Sequence, residues 1–305
     1  NLASLNLSRF VTNGYEKDAK IDWDQLKETT SNVVRFLDNV VSWNQLLNPL
    51  EKQQKAASDT RRLGLGIMGI ADMLNQLGIA YDSETGIKTM TEVMKYISNI
   101  AYQASSMLAK EKEPSPIFNK TKYMQCPFVK EALSAETQKL IRKNGLRNIA
   151  IMSIAPTGSI SNIILSYRLN NKNYIGVSGG IEPIFALYYT RRSESFGNQF
   201  FKVFHSTVQA YLDKMQFDSE ADKHDDLTEL LPEHFLRTAH TVNPEKRVRI
   251  QGNCQKYIDH SISSTVNLPE DIQPEVISDI YILGWKQKLK GITIYRDGSR
   301  FPILS

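Results

Sequence analysis

An α/β fold built on a parallel sheet is predicted by three observations. A strand, a helix and a strand follow one another near the C-terminus, at 264–268, 274–286 and 292–295. An apolar run at 149–154 stops abruptly in small turn residues. Stretches with apolar residues at helical intervals lie between them, and strand-helix-strand order favours parallel neighbours.

The elements follow in order. Asn1–Leu7 alternates apolar and small polar residues, as a strand with one buried face does. Val33, Leu37, Val40 and Val41 predict a helix within Trp23–Leu50, and Ile67, Ile70, Leu74 and Leu77 predict another over 67–77. Ser83 caps a long helix with an inner stripe of Ile87, Met90, Met94, Ile97, Ala101, Ala104 and Leu108. Glu113-Pro114-Ser115-Pro116 ends it, and a polar connection containing Cys126 runs on to residue 128. Ile149–Ile154 reads as a buried strand, and Ser264–Leu268 as another, ended by Pro269. Pro274 opens a helix with Ile277, Ile280 and Leu283 on its apolar face, Gly291 caps its end, and Ile292–Tyr295 is the last strand.

Composition excludes more than it selects. The 305 residues suffice for one large α/β domain or two small ones. A formal charge of +4, from 37 basic and 33 acidic residues, gives no reason to expect a nucleic acid polymer or a membrane surface as partner. No apolar stretch reaches the ~20 residues that span a bilayer. Two cysteines, Cys126 and Cys254, make no disulfide framework, which favours a reducing cytoplasm. An initial Asn in place of Met is expected of a fragment or a processed piece.

The candidate site is Ala155-Pro156-Thr157-Gly158-Ser159-Ile160-Ser161, the turn that ends the apolar run. Main-chain N–H groups at such a strand end are free, small residues admit an anion, and the hydroxyls of Thr157, Ser159 and Ser161 add donors. A helix starting nearby would add its positive end. The same residue types also serve as plain turn and cap residues.

Other motifs carry less. Gly64-Leu65-Gly66-Ile67-Met68-Gly69 has dinucleotide-loop spacing but follows a polar, helical lead-in, Glu51–Lys55 and Arg61-Arg62, so its glycines are read as letting a helix pack close to another backbone. His234, His240 and His260 near Cys254 match no zinc spacing. Tyr188-Tyr189 follows Ile184–Leu187 and reads as packing, with a redox relay as the alternative. Arg191 and Arg192 either are solvated or hold an anion. Gly180-Ile181-Glu182-Pro183 reads as the start of a helix, with an acid-base role for Glu182 as the alternative.

Taken together, the segments resemble the large catalytic subunit of ribonucleotide reductase, most closely its adenosylcobalamin-dependent class. The resemblance rests on Asn1–Leu7, Arg62–Gly66, Ala155–Ser161, Gly180–Pro183, Gln255–Asp259, Val266–Pro269 and Gly291–Arg300, in family order over almost the whole chain. It implies part of a ten-stranded α/β barrel made of two five-stranded parallel halves, with this chain as the C-terminal portion over 1–305. It makes 155–161 the seat of the substrate phosphates, in an enzyme that reduces ribonucleotides by thiyl-radical chemistry. Adenosylcobalamin is the implied cofactor. The implied partners are the ribonucleotide substrate, the N-terminal part of the barrel, and a thioredoxin- or glutaredoxin-type reductant.

The class with a separate radical-generating subunit relays its radical through adjacent tyrosines on the last strand. Here that strand reads Ile294-Tyr295-Arg296, with one tyrosine. That class is the alternative reading, together with a non-catalytic nucleotide-binding half of a split enzyme. The family's radical and redox cysteines fall outside this sequence, so the chain alone is expected to be inactive. Cys126 and Cys254 are expected to be buried or inert thiols. Ile164–Tyr174 looks like an insertion, a polar excursion that covers the site or, more simply, is exposed.

Overall fold

The computed structural model describes residues 1–45, 47–193, 199–217, 227 and 229–299, and only the main chain of 191–193 and 199–201. Arg300 and the side chains of Arg191 and Arg192, on which two sequence expectations fell, lie outside the described parts.

Five segments run parallel in sequence order. β1 (Leu2–Asn6) pairs with β4 (Gly64–Met68) in register from Leu2↔Gly64 to Asn6↔Met68. β9 (Thr265–Leu268) pairs with β10 (Thr293–Arg296), again in parallel. Between the two ladders lies the predicted run Ile149–Ile154, joined to them by isolated parallel bridges, Leu65↔Met152 and Ile154↔Ile262. It is bonded on both sides: the Ser153 N–H donates to the Leu65 carbonyl at 2.9 Å and the Ser263 N–H to that of Ile154 at 2.8 Å. The expectation of a buried strand holds in substance, with regular pairing too short to make a ladder.

Asp259 pins this segment from below. Its carboxylate accepts the N–H groups of Ile151 (2.8 Å) and Met152 (2.9 Å) and the hydroxyl of buried Tyr102.

Gly64–Met68 corrects one expectation. It is a strand buried throughout, and the helix predicted over 67–77 starts only at Ile70, as α3 (Ile70–Gln76). The glycine role is a close approach between strands: a Cβ on Gly66 would sit 2.3 Å from the Ser153 carbonyl oxygen. The helical spacing of Ile67 and Ile70 is real, but pairing to β1 and to Ser153 overrides it.

The helices cover the sheet. α1 (Trp23–Asn44) stops short of Leu50, because Pro49 disfavours helical backbone at Asn48, whose side chain instead accepts the Leu50 N–H at 3.0 Å. α2 (Glu51–Thr60) follows. α4 (Glu84–Lys112) is capped by Ser83 as predicted, its side chain accepting the Gly86 N–H at 2.9 Å. Its stripe Ile87, Met90, Met94, Ile97, Ala101 and Leu108 lies in the main core beside Leu65, Ile67 and Leu74, with Ala104 at the margin.

The polar connection holds two unforeseen short helices, α5 (Lys120–Gln125), capped by Asn119, and α6 (Pro127–Ala132), opened by Pro127. α7 (Ala135–Asn144) then packs against α4.

Under α1, Asp38 is fully buried and accepts from Arg61 Nε (2.9 Å) and Asn148 Nδ2 (3.0 Å), with Arg147 Nε at 3.4 Å. Arg61 also donates to Ser42 Oγ at 2.7 Å.

Three hairpins decorate the frame: β2 (Val11–Thr12) with β3 (Lys20–Ile21), β5 (Leu165–Leu169) with β6 (Lys172–Ile175), and β7 (Tyr188–Ser193) with β8 (Gln199–Phe204). The suspected insertion is the β5–β6 hairpin. Its Arg168, Asn170, Asn171, Lys172 and Asn173 are exposed while Ser166 and Tyr174 are buried, with α8 (Ser206–Lys214) packed against it.

α9 (Pro244–Gln255) and α10 (Pro274–Lys286) enclose a separate core cluster with β9. The turn that caps α10 is made not by Gly291 but by Lys288, just past the helix end, which takes the left-handed conformation (φ +58°) and lets the Leu289 N–H reach the Gly284 carbonyl at 3.1 Å.

Candidate functional site

A cavity of about 740 Å³ opens beyond the C-terminal ends of the central strands, where open parallel sheets place ligands. Ser263, Thr265 and Asn267, alternate residues that share one face of an extended segment, form one wall. Pro156, Gly158, Ser161 and Asn162 form another, and the strap Gly176–Gly179 a third.

The predicted turn is therefore at the cavity, but its residues divide. Gly158, Ser159 and Ile160 are exposed, and their N–H groups find no acceptor among the described residues. Ser161 is buried, lines the cavity, and uses its own N–H on the Thr157 carbonyl at 2.9 Å. Thr157 turns the other way: in left-handed backbone (φ +55°), its Oγ1 accepts the Gly180 N–H at 2.9 Å. Ala155, Thr157, Ser159 and Ile160 are not part of the lining.

The helix expected after the turn is a single 3-10 turn, Ile160–Asn162, so no helix terminus contributes here. Gly180 (φ +49°) fits beneath the loop because a Cβ there would lie 2.8 Å from the Ala155 carbonyl oxygen.

Glu182 also corrects its expectation. Gly180 and Ile181 form a turn, closed by the Glu182 N–H on the Gly179 carbonyl at 2.8 Å, that leads to the Ile184↔Thr238 bridge and is not a helix start. Glu182 Oε1 accepts the Thr265 N–H at 2.8 Å and Oε2 pairs with Arg247, which is buried and also reaches Ser264 Oγ at 2.8 Å. Burial raises the Glu182 pKa, opposed by the Arg247 charge and the Thr265 hydrogen bond. With both oxygens engaged, the side chain braces β9 against the turn.

On the far side of the strap, Asp72 of α3 is fully buried and accepts the Ser178 N–H at 2.7 Å, the Thr207 hydroxyl, and His205 Nε2 at 2.8 Å. Burial alone would raise the Asp72 carboxyl; His205 and these hydrogen bonds outweigh it and hold the carboxyl below the usual range. His205 and Ser178 both line the cavity, and the Ser178 hydroxyl is buried without a hydrogen-bond partner among the described residues.

Sequence reasoning missed His205, Asp72, Ser178 and Arg247. The one available signal was that His205 sits directly before α8.

The structure also places the other residues singled out in the sequence. Tyr188 packs on Phe204, as predicted, while Tyr189 is exposed and lines the cavity. Among the described residues no group of three His, Cys, Asp or Glu side chains could hold a metal. Cys254 is buried, which pushes its thiol up to about 12, whereas Cys126 is exposed. Neither lines the cavity.

Comparison with known proteins decides the family. Residues 1–295 match the family described as ribonucleotide reductase, barrel domain. The chain belongs to this family. It is 32% identical over 314 residues to a vitamin B12-dependent ribonucleoside-diphosphate reductase of Mycobacterium tuberculosis, covering 98% of this chain and 39% of that protein. The corresponding enzyme of Thermoplasma acidophilum is 33% identical over 308 residues, covering 98% and 36%. A ribonucleoside-diphosphate reductase subunit alpha of Chlamydia pneumoniae is 30% identical over 326 residues, covering 95% and 29%.

In structure, the class Id ribonucleotide reductase alpha subunit of Actinobacillus ureae superposes with a TM-score of 0.68 at 21% identity, covering 97% of this chain and 49% of that one. The ribonucleotide reductase barrel fold is thus shared, and the incompletely closed parallel sheet described above is part of it. The chain spans less than two fifths of the length of the curated relatives it matches.

Proposed function

We propose that this chain is the C-terminal portion of the catalytic barrel of an adenosylcobalamin-dependent ribonucleotide reductase, in which the Ala155–Ser161 loop receives the phosphates of a ribonucleotide. The observation that carries the reading is that the N–H groups of Gly158, Ser159 and Ile160 find no acceptor among the described residues, beside the Ser161 hydroxyl, at the mouth of a cavity at the strand ends. Such donors bind anions without side-chain charge. Thr157 shapes the loop from beneath.

The reaction of the whole enzyme is reduction of ribonucleotides to deoxyribonucleotides through a thiyl radical, in the cytoplasm, with a thioredoxin- or glutaredoxin-type dithiol supplying electrons. The radical and redox cysteines lie outside this chain, and the N-terminal barrel portion is its partner. Among the described residues no helix is long and apolar enough to cross a membrane.

The relatives from Mycobacterium and Thermoplasma, both named as B12-dependent, and the single Tyr295 on β10 support the cobalamin class. The cavity's lining mixes small polar residues with apolar and aromatic ones, Phe185, Tyr189 and Phe204 among them. Adenosylcobalamin, when bound, supplies the radical by Co–C homolysis; the part of this chain is to hold and orient substrate.

Gly158→Val in the intact protein tests the loop. A Cβ there meets nothing within 4 Å, so the fold accepts it. The side chain should crowd the phosphates and raise nucleotide KM about tenfold, about 1.4 kcal/mol, with kcat nearly unchanged. An unchanged KM would remove the loop from the site. The Chlamydia relative, a subunit alpha, favours a second reading, a class with a separate radical-generating subunit. Turnover that requires such a partner and ignores added adenosylcobalamin would select it.

A further inference from the structure

The lining of the cavity poses an electrostatic question. Among its described residues there is no lysine or arginine, and the one carboxylate, Glu182, is already paired with Arg247. A nucleotide di- or triphosphate brought there meets neutral donors and a single side chain able to become cationic, His205.

That imidazole is held. Nε2 is fixed on Asp72 at 2.8 Å, and Asp72 is itself locked by Ser178, by Thr207 and by its place in α3. Nδ1 has no partner among the described residues, and the ring is 17% exposed. A carboxylate on one ring nitrogen fixes the tautomer and supports the protonated form, in which the other nitrogen becomes a donor.

The same strap ties His205 to the loop. The Val177 N–H donates to the Ser161 carbonyl at 2.9 Å, Ser178 donates to Asp72, and Ser206 donates to the Gly176 carbonyl. The imidazole and the loop therefore share one hydrogen-bonded frame.

We propose that His205, oriented by Asp72, is the cationic contact of this cavity and donates from Nδ1 to a phosphate oxygen of the bound nucleotide. The proposal rests on the loop reading above and adds a residue and a charge to it. Among the described residues, the titratable groups around His205 are Asp72 from α3, Tyr15 with its hydroxyl on the Thr207 carbonyl, Tyr189 from β7, and Glu182 in the cavity wall with Arg247 paired behind it. Of these, the paired Glu182 and Arg247 offset one another, and Tyr15, pushed up by burial, stays neutral.

The test is equilibrium binding of CDP and of cytidine to the intact protein, without reductant or cofactor, comparing unmutated protein with His205→Gln, whose amide can still donate to Asp72. At pH 6 the variant should bind CDP about tenfold more weakly and cytidine equally well, as expected for loss of a charge-assisted bond. The deficit should shrink as the pH is raised, because only the protonated imidazole can donate a charge-assisted bond from Nδ1 while Nε2 stays on Asp72. Taking the variant-to-wild-type ratio at each pH cancels the probe's own phosphate ionisation.

Equal loss of CDP and cytidine would mean a structural role and overturn the proposal, as would a CDP deficit independent of pH. His205→Asn replaces the variant if His205→Gln fails to fold. Gly158→Val separates the two claims. If it weakens CDP while His205→Gln does not, the loop stands and the histidine falls. If neither weakens CDP, both fall.

Discussion

Asp38→Ala is expected to lower stability by about 3–5 kcal/mol, the range for removing one partner of a buried ion pair. The carboxylate is fully buried and binds Arg61, itself 3% exposed, together with Asn148 and Arg147. Without it, the Arg61 guanidinium keeps, among the described residues, Ser42 Oγ and the Asp38 carbonyl as acceptors, at 2.7 and 2.9 Å. Burial already lowers the Arg61 pKa, with Asp38 the opposing influence, so the variant leaves a charge in a site that disfavours it.

Urea unfolding measures the loss; a change under about 1 kcal/mol would show the network to be dispensable. The double variant Asp38→Leu with Arg61→Met is informative beside it. It removes both charges at similar volume and should recover much of the lost stability, because the penalty lies in the unpaired ion.

Asp259→Asn is expected to cost about 2–4 kcal/mol, from two main-chain N–H bonds and a buried tyrosine hydroxyl disturbed at once. The carboxylate offers acceptors only, and all three neighbours, Ile151 N, Met152 N and Tyr102 Oη, are donors. An amide presents its NH2 group to at least one of them. The effect should be local before it is global. Hydrogen exchange at Ile151 and Met152 should accelerate by more than that of the α4 amides, and nucleotide affinity should fall because this strand delivers the Ala155–Ser161 loop. Uniform acceleration across the chain would contradict the pinning role.

Much of the frame is legible in the residues because the signals are local. Ile149–Ile154 is too apolar for anything but the interior, and Pro156 and Gly158 stop it within two turns of chain, so the loop could be placed without a structure. Ser83 and Pro274 mark helix starts by chemistry that needs no distant partner.

The misreadings share the opposite property. Gly64–Met68 has helical spacing on its C-terminal side, and what makes it a strand is the main chain of Ser153, nearly ninety residues on. Glu182 reads as a helix start until Arg247 and Thr265 take its two oxygens. His205 carries no motif, and its meaning comes from Asp72, 133 residues earlier in the chain. Pairings of that kind are set by topology, and a single sequence does not display them.

The parallel strand order has a kinetic consequence. Leu2 meets Gly64, Leu65 meets Met152 and Ile154 meets Ile262, so three of the four neighbouring pairs in the sheet close loops of sixty residues or more. Loop-closure entropy is met before such contacts give anything back, whereas α1 and α4 depend mainly on near neighbours. During refolding, helical ellipticity should lead and the ligand-binding mouth should mature last. A chain emerging from the ribosome therefore exposes Leu65 and Ile67 to chaperones until residues near 152 have been synthesised, and Ile154 until those near 262.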